Sequence, residues 1–243
     1  MRKYYYDLHI HSCLSPCGDD EATPNSIAGM GKINGLDIMA LTDHNTCKNC
    51  PAFFEAAERY GILPVAGMEL TTAEEIHIVC LFESLEKAME FDEFVSTRRM
   101  LIPNRVDIFG QQLICDSEDN VVGNEEYILS VATDISVDDA IETVEKFGGI
   151  CYPAHIDRES NGMVAILGTV PEDLNFSCVE IRDSEKADEY KERFNLNNKH
   201  VIFSSDAHYL HLIFEKQNFL SLEEITDPKR TGEWIIKFLR DGV

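Results

Sequence analysis

The chain has 243 residues, 44% of them hydrophobic, enough to bury a full core in one α/β domain covering 1–243. Its 44 acidic residues against 21 basic ones give a formal net charge of −23, which disfavours long duplex nucleic acid and anionic membrane as partners. There is neither an apolar run of about 18 residues nor a cleavable N-terminal signal, and eight cysteines in a chain that needs no disulfide staples fit a reducing cytoplasm.

Residues 4–8 read as a first strand, ending in His9-Ile10-His11. Side chains two apart on a strand share a face, so these two imidazoles converge on one cation. A helix follows over 24–34, capped by Thr23 and ended by Gly35. The second strand, 37–41, runs into Thr42-Asp43-His44-Asn45; Asp43 falls on the opposite pleat face from His44, placed to orient an imidazole rather than to ligate. A helix over 51–60 ends at Gly61, and strand 63–66 leads to Gly67-Met68-Glu69. A carboxylate there is suited to bridging two cations about 3.5–4 Å apart.

The fourth strand, 76–82, is apolar except for His77, and an imidazole buried without a partner is costly. A ligand role removes that cost. After a helix over 85–95, residues 98–133 break the rhythm and read as an insertion with a small hairpin over the active-site face. Helix 137–147 and Gly148-Gly149 then precede strand 150–152, which leads to Pro153-Ala154-His155. Strand 178–181, helix 185–195 and strand 201–203 follow, the last running into Ser205-Asp206-Ala207-His208 with the same two-residue spacing as His9 and His11. Residues 219–222 are a candidate eighth strand and 231–240 a final helix. Alternating strands and helices predict a parallel sheet, and metal-capable residues at strand ends predict a barrel-like face that gathers them.

Jointly, Asp7-Leu8-His9-Ile10-His11, Thr42-Asp43-His44, Gly67-Met68-Glu69, His77, His155 and Ser205-Asp206-Ala207-His208 resemble the polymerase and histidinol phosphatase (PHP) family of metal-dependent phosphoesterases. The resemblance spans residues 4–208 in the family order. It implies a distorted seven-stranded β/α barrel, similar to a TIM barrel, with two or three Mn, Fe or Zn ions that activate water against a phosphoester. Position by position it carries the ligand role to His9, His11, His44, Glu69, His77, His155, Asp206 and His208. One ligand departs from the pattern: the family places a His or Asp shortly after the His-x-His pair, where this chain has Ser15-Pro16-Cys17-Gly18-Asp19-Asp20. Cys17 is a soft ligand suited to Zn or Fe, and Asp19 or Asp20 a hard one suited to Mn.

Cys13 and Cys17 follow the first strand and Cys47 and Cys50 the second, spacings compatible with an extra Zn or iron–sulfur site. Arg158, three residues past His155, and Arg182, at another strand end, are the candidate phosphate-binding cations, with His211 a candidate donor at the rim. Among the ligands Asp206 is the candidate general base, with His208 and His44 beside it. The expected substrate is a small phosphorylated molecule, a nucleotide or short oligonucleotide. A histidinol-phosphate-type phosphatase and a non-catalytic metal-binding module of the same fold are the alternatives. An amidohydrolase-type C–N hydrolase is weakened by the absence of a lysine beside the strand-end ligands.

Overall fold

A computed structural model describes residues 1–241. In chain order the elements are β1 (Arg2–Asp7), α1 (Pro24–Asn34), β2 (Ile38–Leu41), α2 (Cys50–Tyr60), β3 (Leu63–Thr71), β4 (His77–Phe82) and α3 (Leu85–Ser96). Then come α4 (Val106–Phe109), β5 (Leu113–Cys115), β6 (Val121–Asn124), α5 (Val137–Lys146), β7 (Gly149–Pro153) and α6 (Met163–Leu167). The chain continues through β8 (Cys178–Glu180), α7 (Ala187–Arg193), β9 (His200–Ile202), β10 (Phe219–Leu222) and α8 (Thr231–Asp241). Among the described residues no helix is long and apolar enough to cross a membrane.

Each of the eight apolar runs forms a strand, but they do not assemble as expected. Six make one mixed sheet in the order β10-β1-β2-β3-β4-β7; β8 and β9 form a separate parallel pair, and β5 and β6 a separate hairpin. Within the large sheet only β1/β2 and β2/β3 are parallel; β3/β4, β4/β7 and β1/β10 run antiparallel. This corrects the expected parallel order, while the mixed α/β class holds, with a curled half-barrel sheet of six strands in place of a seven-stranded barrel. Residues 72–76 between β3 and β4 are too few for a crossover helix, so β4 folds straight back on β3. Where a barrel would close, single backbone links stand in for ladders: Ile156 N donates to the Glu180 carbonyl, and Ile10 and Ala207 form an isolated parallel bridge.

The central strands are buried on both faces, which is why their sequences run apolar without alternation. Ile78, Cys80 and Phe82 of β4 join the core built with α1, α2, α3 and α5. Val79 and Leu81 point the other way, into a core completed by Ile235, Ile236 and Leu239 of α8. Strands clamped between two layers hold their ends rigidly, and the polar residues at those ends inherit that rigidity.

Candidate metal centre

The strand pairing brings the polar residues to one place. β3 continues past the expected end at 66 to Thr71, so Glu69 lies inside a strand, and Thr71 faces His77 in the β3/β4 register. Glu69 and Thr71 share a face, so His77 meets Glu69 across the diagonal. His9 and His11 continue β1 along β2, whose end delivers His44; a parallel bridge ties His44 to Glu69. From the other edge, β7 supplies His155, and the loop after β9 supplies Asp206 and His208. His155 (φ 28°) and Asp206 (φ 51°) both adopt left-handed backbone, uncommon for residues with a Cβ, and so turn their side chains inward off the strand ends.

Glu69 is the hub. Its Oε1 lies 3.3 Å from His9 Nε2, 3.0 Å from His77 Nδ1 and 3.1 Å from His155 Nε2. Its Oε2 lies 3.3 Å from His11 Nε2 and 2.9 Å from His44 Nδ1. One carboxylate thus divides five imidazoles between its two oxygens. Asp206 adds a second carboxylate, with Oδ1 3.6 Å from His9 Nε2, 3.3 Å from His11 Nε2 and 3.5 Å from His208 Nδ1. Three overlapping groups have ligand atoms close enough to share an ion: His9, His11, Glu69 and Asp206; His44, Glu69 and His77; and His11, His44 and His208.

The hydrogen bonding around these atoms fits cations. His9 Nδ1 donates to Glu180 Oε1 at 2.9 Å, and His11 Nδ1 donates to Ser15 Oγ at 2.9 Å while Ser15 Oγ donates to Asp43 Oδ1 at 2.7 Å. In the neutral form that binds metal, each ring would present a bare Nε2, and the two face each other at 3.1 Å. Two lone pairs at that distance repel unless a positive charge lies between or beside them. His44 Nδ1, His77 Nδ1, Glu69 Oε2 and Asp206 Oδ1 are moreover buried with no hydrogen-bond partner. Unsatisfied buried polar atoms of this kind are rare, and a metal satisfies them together.

Electrostatics agree. Burial would raise the Glu69 carboxyl, but His77, His9 and His44 around it hold it well below the usual carboxylate range. Burial opposes charging His11 and His44, yet the carboxylates of Asp206 and Glu69 beside His11, and Glu69 and Cys17 beside His44, lift both to about 9. Burial pushes His77 down to about 4 and His208 down to about 3, each helped by neighbouring imidazoles. Protons on His11 and His44 thereby occupy the role that cations play when ligands are neutral.

Around this cluster the structure places some residues differently from expectation. Asp43 touches no imidazole; it binds Ser12 N and Ser15 Oγ and reaches His11 only through that serine. In the loop after β1, Cys17 Sγ lies 3.3 Å from His44 Nε2, whereas Asp19 turns away to cap Glu21 N at 2.8 Å. The four-cysteine site does not form. Cys13 contacts Cys115 at 3.6 Å, and Cys47 and Cys50 turn into the core toward the carbonyls of Gly67 and Leu41. The first turn of α2, rather than an open loop, carries Cys50, and its helical direction buries the thiol.

Arg158 Nη1 donates to Asp206 Oδ2 at 2.9 Å, so this arginine first orients the carboxylate. It also borders, with Arg182, a cavity of about 850 Å³ that opens onto His44, His77, Asp206 and His208. His211 does not line that cavity; it lies against Tyr209, with ring centroids 5.7 Å apart.

Glu180 is a site residue that the sequence reading passed over. Fully buried, it accepts from both His9 Nδ1 and the His155 backbone N–H, joining the first ligand pair to the β7 end. The signal was a carboxylate closing the apolar run Cys178-Val179, read only as a strand end. Glu180→Gln should keep the fold but weaken metal binding by about 10- to 100-fold, because a carboxamide no longer fixes the His9 tautomer. A metal titration of the refolded-free, natively purified variant checks this, and unchanged affinity would refute the orienting role.

Comparison with known proteins places this geometry. The PHP domain family matches residues 7–212. The chain is 31% identical over 98 residues to an uncharacterised protein of Methanocaldococcus jannaschii, covering 37% of this chain and 57% of that protein. It is 35% identical over 79 residues to a 5'-3' exoribonuclease of Haemophilus influenzae, covering 31% of this chain and 28% of that one. The matches thus span less than two thirds of these relatives.

Among solved structures, the lesion-specific endonuclease EndoQ of Pyrococcus furiosus aligns over 100% of this chain and 56% of its own, with a TM-score of 0.69 and 18% identity. A Bifidobacterium adolescentis protein assigned as a metal-dependent phosphoesterase aligns over 95% of both chains with a TM-score of 0.58 and 17% identity. An Endonuclease Q structure holding a 27-mer duplex with an abasic lesion at its active site aligns with a TM-score of 0.66 and 18% identity. That complex overturns the exclusion of long duplex nucleic acid drawn from net charge. A fold of this type admits a duplex, and a whole-chain charge of −23 does not describe the rim of the cavity, where Arg158 and Arg182 stand. With the family match running through all eight residues of the cluster, the chain belongs to the PHP domain family of metal-dependent phosphoesterases.

Proposed function

We propose that this centre holds two or three divalent ions and hydrolyses a phosphoester of a nucleotide or oligonucleotide. The observation that carries the reading is the division of five imidazoles between the two oxygens of Glu69, the arrangement of a carboxylate that bridges cations. His9, His11, His44, Glu69, His77, His155, Asp206 and His208 would hold the ions, with Cys17 rather than Asp19 completing the set beside His44. When bound, such ions activate water and neutralise phosphoryl oxygens.

The protein groups have separate tasks. Asp206, pinned through Oδ2 by Arg158, keeps Oδ1 turned into the cluster and accepts the proton of the attacking water. His208 and His44 stand beside it on the cavity wall, where they would hold the ions close to that proton transfer. Arg158 and Arg182 present guanidinium N–H groups to the non-reacting phosphoryl oxygens. Asp157 steadies that second arginine by accepting from the backbone N–H groups of Arg182 and Asp183. The intact cluster favours an enzyme over a non-catalytic module. The nuclease names among the relatives support a nucleotide over histidinol phosphate.

Hydrolysis of bis(p-nitrophenyl) phosphate and of p-nitrophenyl phosphate by the Mn-, Fe- and Zn-loaded protein tests the proposal. Metal-dependent diester cleavage is the expected result. Monoester cleavage alone would transfer the reading to a phosphatase, and no turnover with any metal would refute it.

A further inference from the structure

The cavity is lined by two chemically distinct kinds of side chain. Its lining includes imidazoles, the Asp206 carboxylate, Arg158 and Arg182, and also Ile108 and Phe109 from α4 and Tyr209 and Leu212 from the segment after His208. These four side chains are each between 42% and 56% exposed, an unusual way to leave large apolar groups beside a charged centre. The α4 pair is held where it stands. Gly110, next in sequence, has φ 76°, which favours glycine, and a Cβ there would lie 3.3 Å from the Pro16 carbonyl. Asn104 Nδ2 also donates to the Gly110 carbonyl at 3.0 Å, closing the turn. Gly110 thus sits against the Pro16 carbonyl, and Phe109 just before it lines the same cavity as Pro16 and Cys17.

Resting on the phosphoesterase reading above, we infer that Phe109 and Tyr209, flanked by Ile108 and Leu212, form a platform for the base of the nucleotide whose phosphate meets Arg158 and Arg182. The occupant of such a cavity needs an anionic end and a flat apolar end, and a nucleotide has both. A volume of about 850 Å³ lies within the range that encloses a ligand of that size. Stacking on aromatic rings tolerates any base, so the platform grips without selecting sequence. It also gives residues 98–133 a task, since α4 comes from that segment.

The test is calorimetric binding to the Mn-loaded protein of three ligands with one phosphate each: deoxyadenosine 5'-monophosphate, 2-deoxyribose 5-phosphate and hexyl phosphate. The base should tighten binding about 10-fold or more over the bare sugar phosphate and over the alkyl chain. Phe109→Ala and Tyr209→Ala should each shrink that preference toward one while leaving the sugar phosphate's affinity in place; a merely structural role would weaken all three ligands together. Equal binding of the nucleotide and the sugar phosphate by the wild type would overturn the platform alone, as would a preference that survives both substitutions. Hexyl phosphate matching the nucleotide would overturn the base as occupant. Binding of none of the three would overturn the phosphoesterase reading underneath.

Discussion

Glu69→Gln is expected to lower turnover by about 10³-fold or more, roughly 4 kcal/mol in the activation barrier, and to strip the protein of at least one metal ion. The substitution keeps the side chain's shape but removes the charge on which five imidazole nitrogens converge within 3.3 Å. A carboxamide has one oxygen and one NH2 group, so it cannot serve ions on both sides. The fold should survive, because Glu69 contributes to β3 through its backbone and its register with Val79, which glutamine preserves. Diester hydrolysis and elemental analysis of the same preparation check both halves. A folded variant with full metal content and near wild-type turnover would remove Glu69 from the centre.

Asp206→Asn is expected to separate binding from chemistry. Asparagine still offers an oxygen to Arg158 and still occupies the left-handed turn, a conformation that asparagine tolerates well. Ions held by the remaining ligands should largely stay, since only one of the two carboxylates at the cluster is lost. Turnover should fall by about 10²-fold or more, the usual contribution of a positioned proton acceptor. The measurement is kcat for the diester at saturating metal, with bound metal determined in parallel. Near-full activity in a metal-loaded variant would contradict the assignment.

Most of the cluster was legible because polar residues at the ends of apolar runs announce themselves. His77 is the clearest case: its neighbours Ile76, Ile78 and Val79 are completely buried, so an imidazole among them demands a partner. His9 with His11 and Asp206 with His208 were legible from spacing alone. What the chain hid was long-range partnership. Glu180 lies 171 residues from His9, and nothing local distinguishes it from a glutamate leaving a strand for solvent. Which of Cys17 and Asp19 lies beside His44 depends on which way a turn faces, and the Asp19 N–H bonds to the His208 carbonyl across the site.

The sheet was misjudged for a related reason. Alternating strands and helices suggest parallel order, but residues 72–76 leave no room for a helix, so β4 reverses and β7 follows it antiparallel. Bulk charge misled in the same way about nucleic acid. A sum over the whole chain says nothing of two arginines held at one cavity.

The most direct measurement of the central claim is a crystal structure of the Mn- or Zn-loaded protein with anomalous maps collected at the metal's absorption edge. The account predicts peaks on both sides of the Glu69 carboxylate, one among His9, His11, Glu69 and Asp206, the other among His44, Glu69 and His77. A single peak bound by only one of the carboxylate's oxygens, or peaks lying away from these side chains, would contradict it.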